Sequence, residues 1–99
     1  MAEHGFAKIY RYNSKYNKPK FKNKKILDLG CGDGVMLKYL HDKYKTISYG
    51  VDISKLNIYL CKQKLPKDNF YCQDIIKYLQ QCDDESFDFI ISYGGIGMF

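Results

Sequence analysis

Short apolar runs alternate with amphipathic stretches along most of the chain. Ile26, Leu27 and Leu29 stand between lysines and a glycine-rich segment, the pattern of a buried strand that ends in a turn. Leu37, Leu40 and Tyr44 then recur at helical spacing with Lys38, Asp42 and Lys45 directed outward, which predicts a helix over residues 34–45 packed on one sheet face. Ser48 to Asp52 reads as a second strand. Leu56, Leu60 and Lys64 mark a second helix, closed by Pro66. Asn69 to Cys72 reads as a third strand, Ile75, Ile76, Leu79 and Cys82 mark a third helix, and Ser86 to Tyr93 reads as a fourth strand. Strands alternating with helices predict an α/β fold built on a doubly wound parallel sheet.

The richest local chemistry lies at the end of the first strand, where Ile-Leu-Asp-Leu-Gly-Cys-Gly-Asp-Gly occupies residues 26–34. An acid, Asp28, is delivered into a turn carrying Gly30, Gly32 and Gly34. A turn of this kind lets backbone approach a ligand closely, because glycine has no Cβ. The helix that follows from Val35 is expected to point its first amides at the bound molecule. A dinucleotide fingerprint has the spacing G-x-G-x-x-G, and here Val35 stands where its third glycine belongs. A carboxylate beside the turn repels a diphosphate and suits a ligand bearing an ammonium group; S-adenosylmethionine is such a ligand. Asp52 follows roughly 20 residues after the loop, the separation at which one strand-helix-strand unit brings an acid to a ribose. Asp74 ends the third strand in the same way.

Together these segments resemble the class I S-adenosylmethionine-dependent methyltransferases, with residues 26–34 similar to motif I and landmarks in order through residue 93. The resemblance implies a Rossmann-like sheet with strand order 3-2-1-4 and S-adenosylmethionine as cofactor. It places Asp28 and the Gly30 to Gly34 loop, Cys31 included, at the methionine end. Asp52 is implied at the ribose and Asp74 at the adenine amino group, with Ile53, Ile75 and Ser92 as further cofactor-binding candidates. A complete member carries strands beyond the fourth, so the chain is expected to be the cofactor-binding half, truncated after the fourth strand and without turnover by itself. The Phe87 to Ile91 strand is then expected to have one unpaired edge, an invitation to homodimerisation or aggregation.

Simpler readings exist for single residues. Asp52 with Ser54, or Asp74 alone, can cap the helices that follow, and Asp88 reads as a polar residue where the fourth strand begins. Capping does not explain Asp28 or the repeated delivery of acids to one sheet edge. After the fourth strand comes Ser92-Tyr93-Gly94-Gly95, where methyltransferases acting on nucleic-acid base amines carry Asn/Asp-Pro-Pro-Tyr. The difference favours a small-molecule methyl acceptor over nucleic acid, and no residue is identifiable as a catalytic base. A nicotinamide oxidoreductase fragment and a non-catalytic methyltransferase-like module are the competing readings.

The formal net charge of +5 is concentrated in residues 1–25, where lysines alternate with Tyr10, Tyr12, Tyr16 and Phe21. Such a segment can bind phosphates, but a solvated lead-in is the simpler reading. The resemblance implies a lid helix, with the three tyrosines as candidate lid contacts. Cys31, Cys61, Cys72 and Cys82 show no metal-ligand spacing and read as buried thiols of a reducing compartment. His4 and His41 belong to no motif. The sequence has neither a membrane-spanning run nor the apolar core of a signal peptide, which predicts a cytoplasmic protein.

Overall fold

A computed structural model describes residues 9–10, 20–82 and 87–92. In chain order the elements are β1 (Ile9–Tyr10), β2 (Lys25–Leu29), α1 (Val35–Tyr44), β3 (Ile47–Asp52), α2 (Lys55–Lys64), β4 (Asn69–Cys72), α3 (Ile75–Gln81) and β5 (Phe89–Ile91). All pairings are parallel, and the sheet runs β1-β5-β2-β3-β4. The four strands expected from the sequence are β2 to β5, in the expected order. Within the sheet, Asp28 stands between Gly50 and Ile91, and Leu27 between Tyr49 and Ile90.

This register sorts the side chains into two cores. Ile26, Phe70 and Ile91 face α1 and α2 and pack with Leu37, Leu40, Ile58 and Cys61. Leu27, Leu29, Val51 and Ile90 pack on the other side with Tyr78 of α3. Helices therefore cover both faces, the doubly wound arrangement. The α3 face also holds a cavity of about 460 Å³ lined by Tyr49, Tyr71, Gln73, Tyr78 and Phe87, among others.

The second and third helices marked in the sequence are both present, but the faces they bury are not simply those of the marking residues. Leu56 is 66% exposed, and α2 buries Ile58 and Cys61, with Leu65 at its C-cap. Both sets fit a 3.6-residue period. The choice is made by the close seat that the glycine loop offers to a small side chain at position 61. Ile76 of α3 is likewise 60% exposed, and Tyr78 supplies the buried contact.

The expected unpaired edge beside the fourth strand is also corrected. Ile9 pairs with Ile90 and Tyr10 with Ile91, so β5 has neighbours on both sides. Tyr10 thus lies in a strand and not on a lid helix; Tyr12 and Tyr16, with the rest of that expected helix through residue 19, lie outside the described residues. The fourth strand is shorter than the expected Ser86 to Tyr93, so Asp88 stands just before β5 and not inside it. Its carboxylate accepts the Lys25 amide at 2.8 Å, while its own amide donates to the Lys25 carbonyl at 2.9 Å. This reciprocal pair fixes where β5 joins β2.

Gly50 is required by close approach. A Cβ there would lie 2.8 Å from both Cys31 Sγ and Phe70 Cδ1. Gly50→Ala should therefore overpack the α1/α2 side and lower the unfolding free energy by about 1–3 kcal/mol. Urea denaturation followed by circular dichroism checks this, and an unchanged midpoint would show that the neighbours yield at no cost.

Candidate functional site

Because every strand is parallel, every strand-to-helix turn lies at the same edge of the sheet. Residues 30–34 follow β2, Ile53 and Ser54 follow β3, Gln73 and Asp74 follow β4, and Ser92 follows β5. The expected site residues are thus brought to one edge, where open α/β sheets bind ligands.

The glycine loop is shaped by backbone requirements. Gly30, Gly32 and Gly34 have φ of 76°, 58° and 88°, in the left-handed region that other residues enter at a cost. Gly34 is also sterically confined, since a Cβ there would lie 2.9 Å from Cys61 Sγ. The loop is further held by bonds to its neighbours. The Gly30 and Cys31 amides donate to the Val51 carbonyl at 2.8 and 3.0 Å, and the Gly34 amide donates to the Cys31 carbonyl at 3.1 Å.

Asp52 completes the framework. Its Oδ2 accepts the Gly32 amide at 2.9 Å, and its Oδ1 accepts the Ser54 amide at 2.9 Å. Ser54 in turn caps α2 by accepting the Asn57 amide. Asp52 therefore ties the loop to the start of α2, and the capping reading is realised in part. Asp74 caps α3 outright, its Oδ2 accepting the Lys77 amide at 3.1 Å.

The amides of the loop's three glycines and of Cys31 are thus occupied by the protein itself. Gly30, Cys31, Gly32 and Gly34 all donate internally, and the Val35 amide reaches Asp33 Oδ1 at 3.3 Å. Of the first amides of α1, which the sequence directs at a ligand, that of Val35 is met by Asp33, and the N-cap Gly34 makes no side-chain cap bond. A diphosphate needs such donors. It would also face two carboxylates, Asp33 and Asp52.

Asp28 itself is only 1% exposed, so its charge acts from within the sheet beneath the loop. Ile53 is 75% exposed beside Asp52, and Val35, Leu56 and Ile76 are exposed in the first turns of the three helices. These turns share the loop edge and line it with apolar surface. Ile75 is half-buried and packs toward the α3 core. Ser92 Oγ and Gln73 Oε1 are buried and find no hydrogen-bond partner among the described residues. Buried polar atoms are normally satisfied, so two orphaned acceptors at this edge suit a ligand with donor groups.

Three contributors escape sequence reasoning. Cys61 donates its thiol to the Gly32 carbonyl at 3.2 Å, Lys64 Nζ donates to the Asp33 carbonyl at 3.0 Å, and Gln73 adds its orphaned oxygen. Helical periodicity could have turned Cys61 inward. Nothing local announces the reach of Lys64 across 31 positions.

Comparison with known proteins agrees with this geometry. The family model described as a methyltransferase domain matches residues 27–99. The chain belongs to this methyltransferase family. An uncharacterised protein of Rickettsia prowazekii is 40% identical over 83 residues, covering 79% of this chain and 33% of that protein. A TehB-like SAM-dependent methyltransferase from Corynebacterium glutamicum is 32% identical with a TM-score of 0.57, covering 78% of this chain and 39% of the other. The plantazolicin methyltransferase BpumL, solved with a triazolic desmethylPZN analog and SAH, is 31% identical with a TM-score of 0.60, covering 76% and 29% respectively. The methyltransferase domain described here thus spans less than half the length of each of these relatives.

Gly34→Ala in the methyltransferase domain combines a left-handed backbone with a contact against Cys61. It should lower stability by about 2 kcal/mol. A parallel Gly32→Ala variant has the strain without the contact, since nothing lies within 4 Å of its Cβ position. Equal losses in urea melts of the two variants would discount the Cys61 contact.

Proposed function

We propose that the domain binds S-adenosylmethionine at the loop edge and serves methyl transfer to a small-molecule acceptor in the cytoplasm. The observation that carries the reading is the Gly32–Asp52 hydrogen bond, which fixes an acid beside a loop whose glycine amides are spent. Such a loop has little to offer a diphosphate, while its acids suit an ammonium and a diol. The relatives solved as methyltransferases, one of them with SAH, support the same choice.

The roles follow from the placements. Asp28, beneath the loop, attracts the ammonium of the methionine end, with the Gly30 to Gly34 backbone and Cys31 forming the seat. Asp52 retains acceptor capacity, because a carboxylate offers about four lone-pair sites and the two amides take one on each oxygen. The remaining sites accept the ribose hydroxyls. Ile53 supplies exposed apolar surface for the adenine plane, and Ile75 borders it. Asp74 accepts from the exocyclic amine while its other oxygen caps α3, and Ser92 Oγ takes a donor near the reacting end. When bound, the cofactor supplies a methyl group already activated on a sulfonium. The protein's part is to hold that group in line with the acceptor and to exclude water, and no base is required unless the acceptor must lose a proton. Cys31 and Cys61 are buried, as expected of the thiols, whereas Cys72 is exposed and Cys82 half-buried.

Calorimetric titration of the purified chain should show binding of S-adenosylhomocysteine and none of NAD; the reverse would replace this reading with the oxidoreductase one. Asp52→Ala, checked for folding by circular dichroism, should weaken binding by about 1.5–3 kcal/mol, roughly ten- to 150-fold. Unchanged affinity in a folded variant would remove Asp52 from the site.

Asp28→Asn should also weaken binding. Because this carboxylate is buried, its contribution should persist at high ionic strength, where exposed charges are screened. The same loss measured at low and high salt is the expected result. A loss that vanishes in salt would place the charge effect at the surface.

A further inference from the structure

The glycine loop and α2 each contribute one thiol to a single contact. Cys31 Sγ and Cys61 Sγ are 3.7 Å apart. Each is seated against a glycine. Cys61 Sγ lies 2.9 Å from where a Gly34 Cβ would be, and Cys31 Sγ lies 2.8 Å from where a Gly50 Cβ would be. The two glycines thus leave the space that the sulfurs fill. Both sulfurs approach the Gly32 carbonyl, Cys61 at 3.2 Å and Cys31 at 3.7 Å. Gly32 is the residue whose amide Asp52 holds, so one peptide segment is gripped by the acid on one side and the dithiol on the other.

We infer that Cys31 and Cys61 are a modification site for hydroperoxides, closing a reversible disulfide that changes the seat of the glycine loop. The Cys61 thiol is held below its ordinary pKa by the neighbouring Cys31 thiol, against the effect of burial and with help from the Lys64 ammonium. Cys31 is pushed up by the same contact and by burial, with Asp28 and Asp52 adding to the shift. At rest Cys61 donates its proton to the Gly32 carbonyl; once that proton is lost, the Cys61 thiolate is the sulfur that attacks. Its sulfur displaces hydroxide from the peroxide oxygen, giving a sulfenic acid, and the hydroxide leaves as water after taking a proton. Cys31 sulfur then attacks the sulfenic sulfur, its proton leaving with the displaced hydroxide as a second water. Two thiols and one hydrogen peroxide give one disulfide and two waters. A thiol reductant reverses the step.

Burial restricts the oxidant. Cys61 is fully buried and Cys31 is 7% exposed, so a protein disulfide cannot reach either sulfur, whereas a molecule near the size of water enters as the loop breathes. Closing an S–S bond of about 2.05 Å draws the sulfurs together and removes the Cys61 thiol proton from the Gly32 carbonyl. The loop is the light partner and moves toward α2. That the displacement alters cofactor affinity rests on the reading of this loop as the S-adenosylmethionine site; the disulfide itself does not.

The test uses the folded 99-residue chain, treated with hydrogen peroxide, alkylated and digested with trypsin. Mass spectrometry should find peptide 26–38 joined to peptide 56–62, a link that dithiothreitol removes. Cys31→Ser should abolish the link and leave Cys61 trapped by dimedone as its sulfenic acid. Should that variant fail to fold, Cys61→Ala, which also removes the link, takes its place. Oxidation confined to Cys72 and Cys82 overturns the proposal. Calorimetry with S-adenosylhomocysteine should show about tenfold weaker binding by the oxidised protein, as expected if one loop in ten keeps the competent geometry, with recovery on reduction. Equal affinity in both states overturns the effect on the loop. A link formed in protein that binds no S-adenosylhomocysteine in either state supports the disulfide and overturns the cofactor reading.

Discussion

The hydrogen bond from the Gly32 amide to Asp52 is the constraint on which the rest of the site depends. It joins the turn after β2 to the C-terminal residue of β3, one step beyond the last backbone bonds between the two strands. Three glycines give the turn a backbone that could adopt many shapes, and a loop of that kind loses more entropy on ordering than any other. One charge-assisted bond at its centre, with the Gly30 and Cys31 amides on the Val51 carbonyl at its start, selects a single shape. The same carboxylate holds the Ser54 amide, so the α2 cap and the loop are ordered together.

Behind that bond the packing is tight because it uses small groups. Gly34 and Gly50 leave space, and the sulfurs of Cys61 and Cys31 occupy it. Neither half of this arrangement is tolerant. A methyl group at either glycine meets a sulfur, and a larger side chain at either cysteine meets a backbone. Thiols serve here as compact apolar groups that still donate weakly, which lets Cys61 bury fully and satisfy the Gly32 carbonyl at the same time.

Much of this was legible in the sequence, for a physical reason. Glycines after an apolar strand, and acids at strand ends, are local signals: turn conformation and strand burial depend on neighbours in the chain. They placed Asp28, the loop, Asp52 and Asp74 at one edge of a sheet whose strand order was also anticipated. The inner face of α2 was not legible, because Leu56, Leu60 and Lys64 satisfy a helical period as well as Ile58, Cys61 and Leu65 do. Tertiary fit against Gly34 decided between them. The pairing of Ile9 and Tyr10 with β5 was hidden too, since two residues carry no periodicity and the contact spans most of the chain. Lys64 on the Asp33 carbonyl is long-range in the same sense.

The use of the loop's amides bears on ligand choice more directly than the glycine spacing does. A missing third glycine only alters how closely helix and strand can pack, and a sequence can compensate for that. Amides already committed to Val51, Cys31 and Asp52 cannot serve a phosphate without breaking bonds that hold the loop in shape. Each such exchange leaves a carboxylate or carbonyl unsatisfied, at about 1–3 kcal/mol apiece. A ligand recognised by acceptors, through an ammonium, a diol and an amine, costs the loop none of these bonds. The proposed ligand choice thus rests on which backbone donors the loop keeps for itself as much as on the acids at the strand ends.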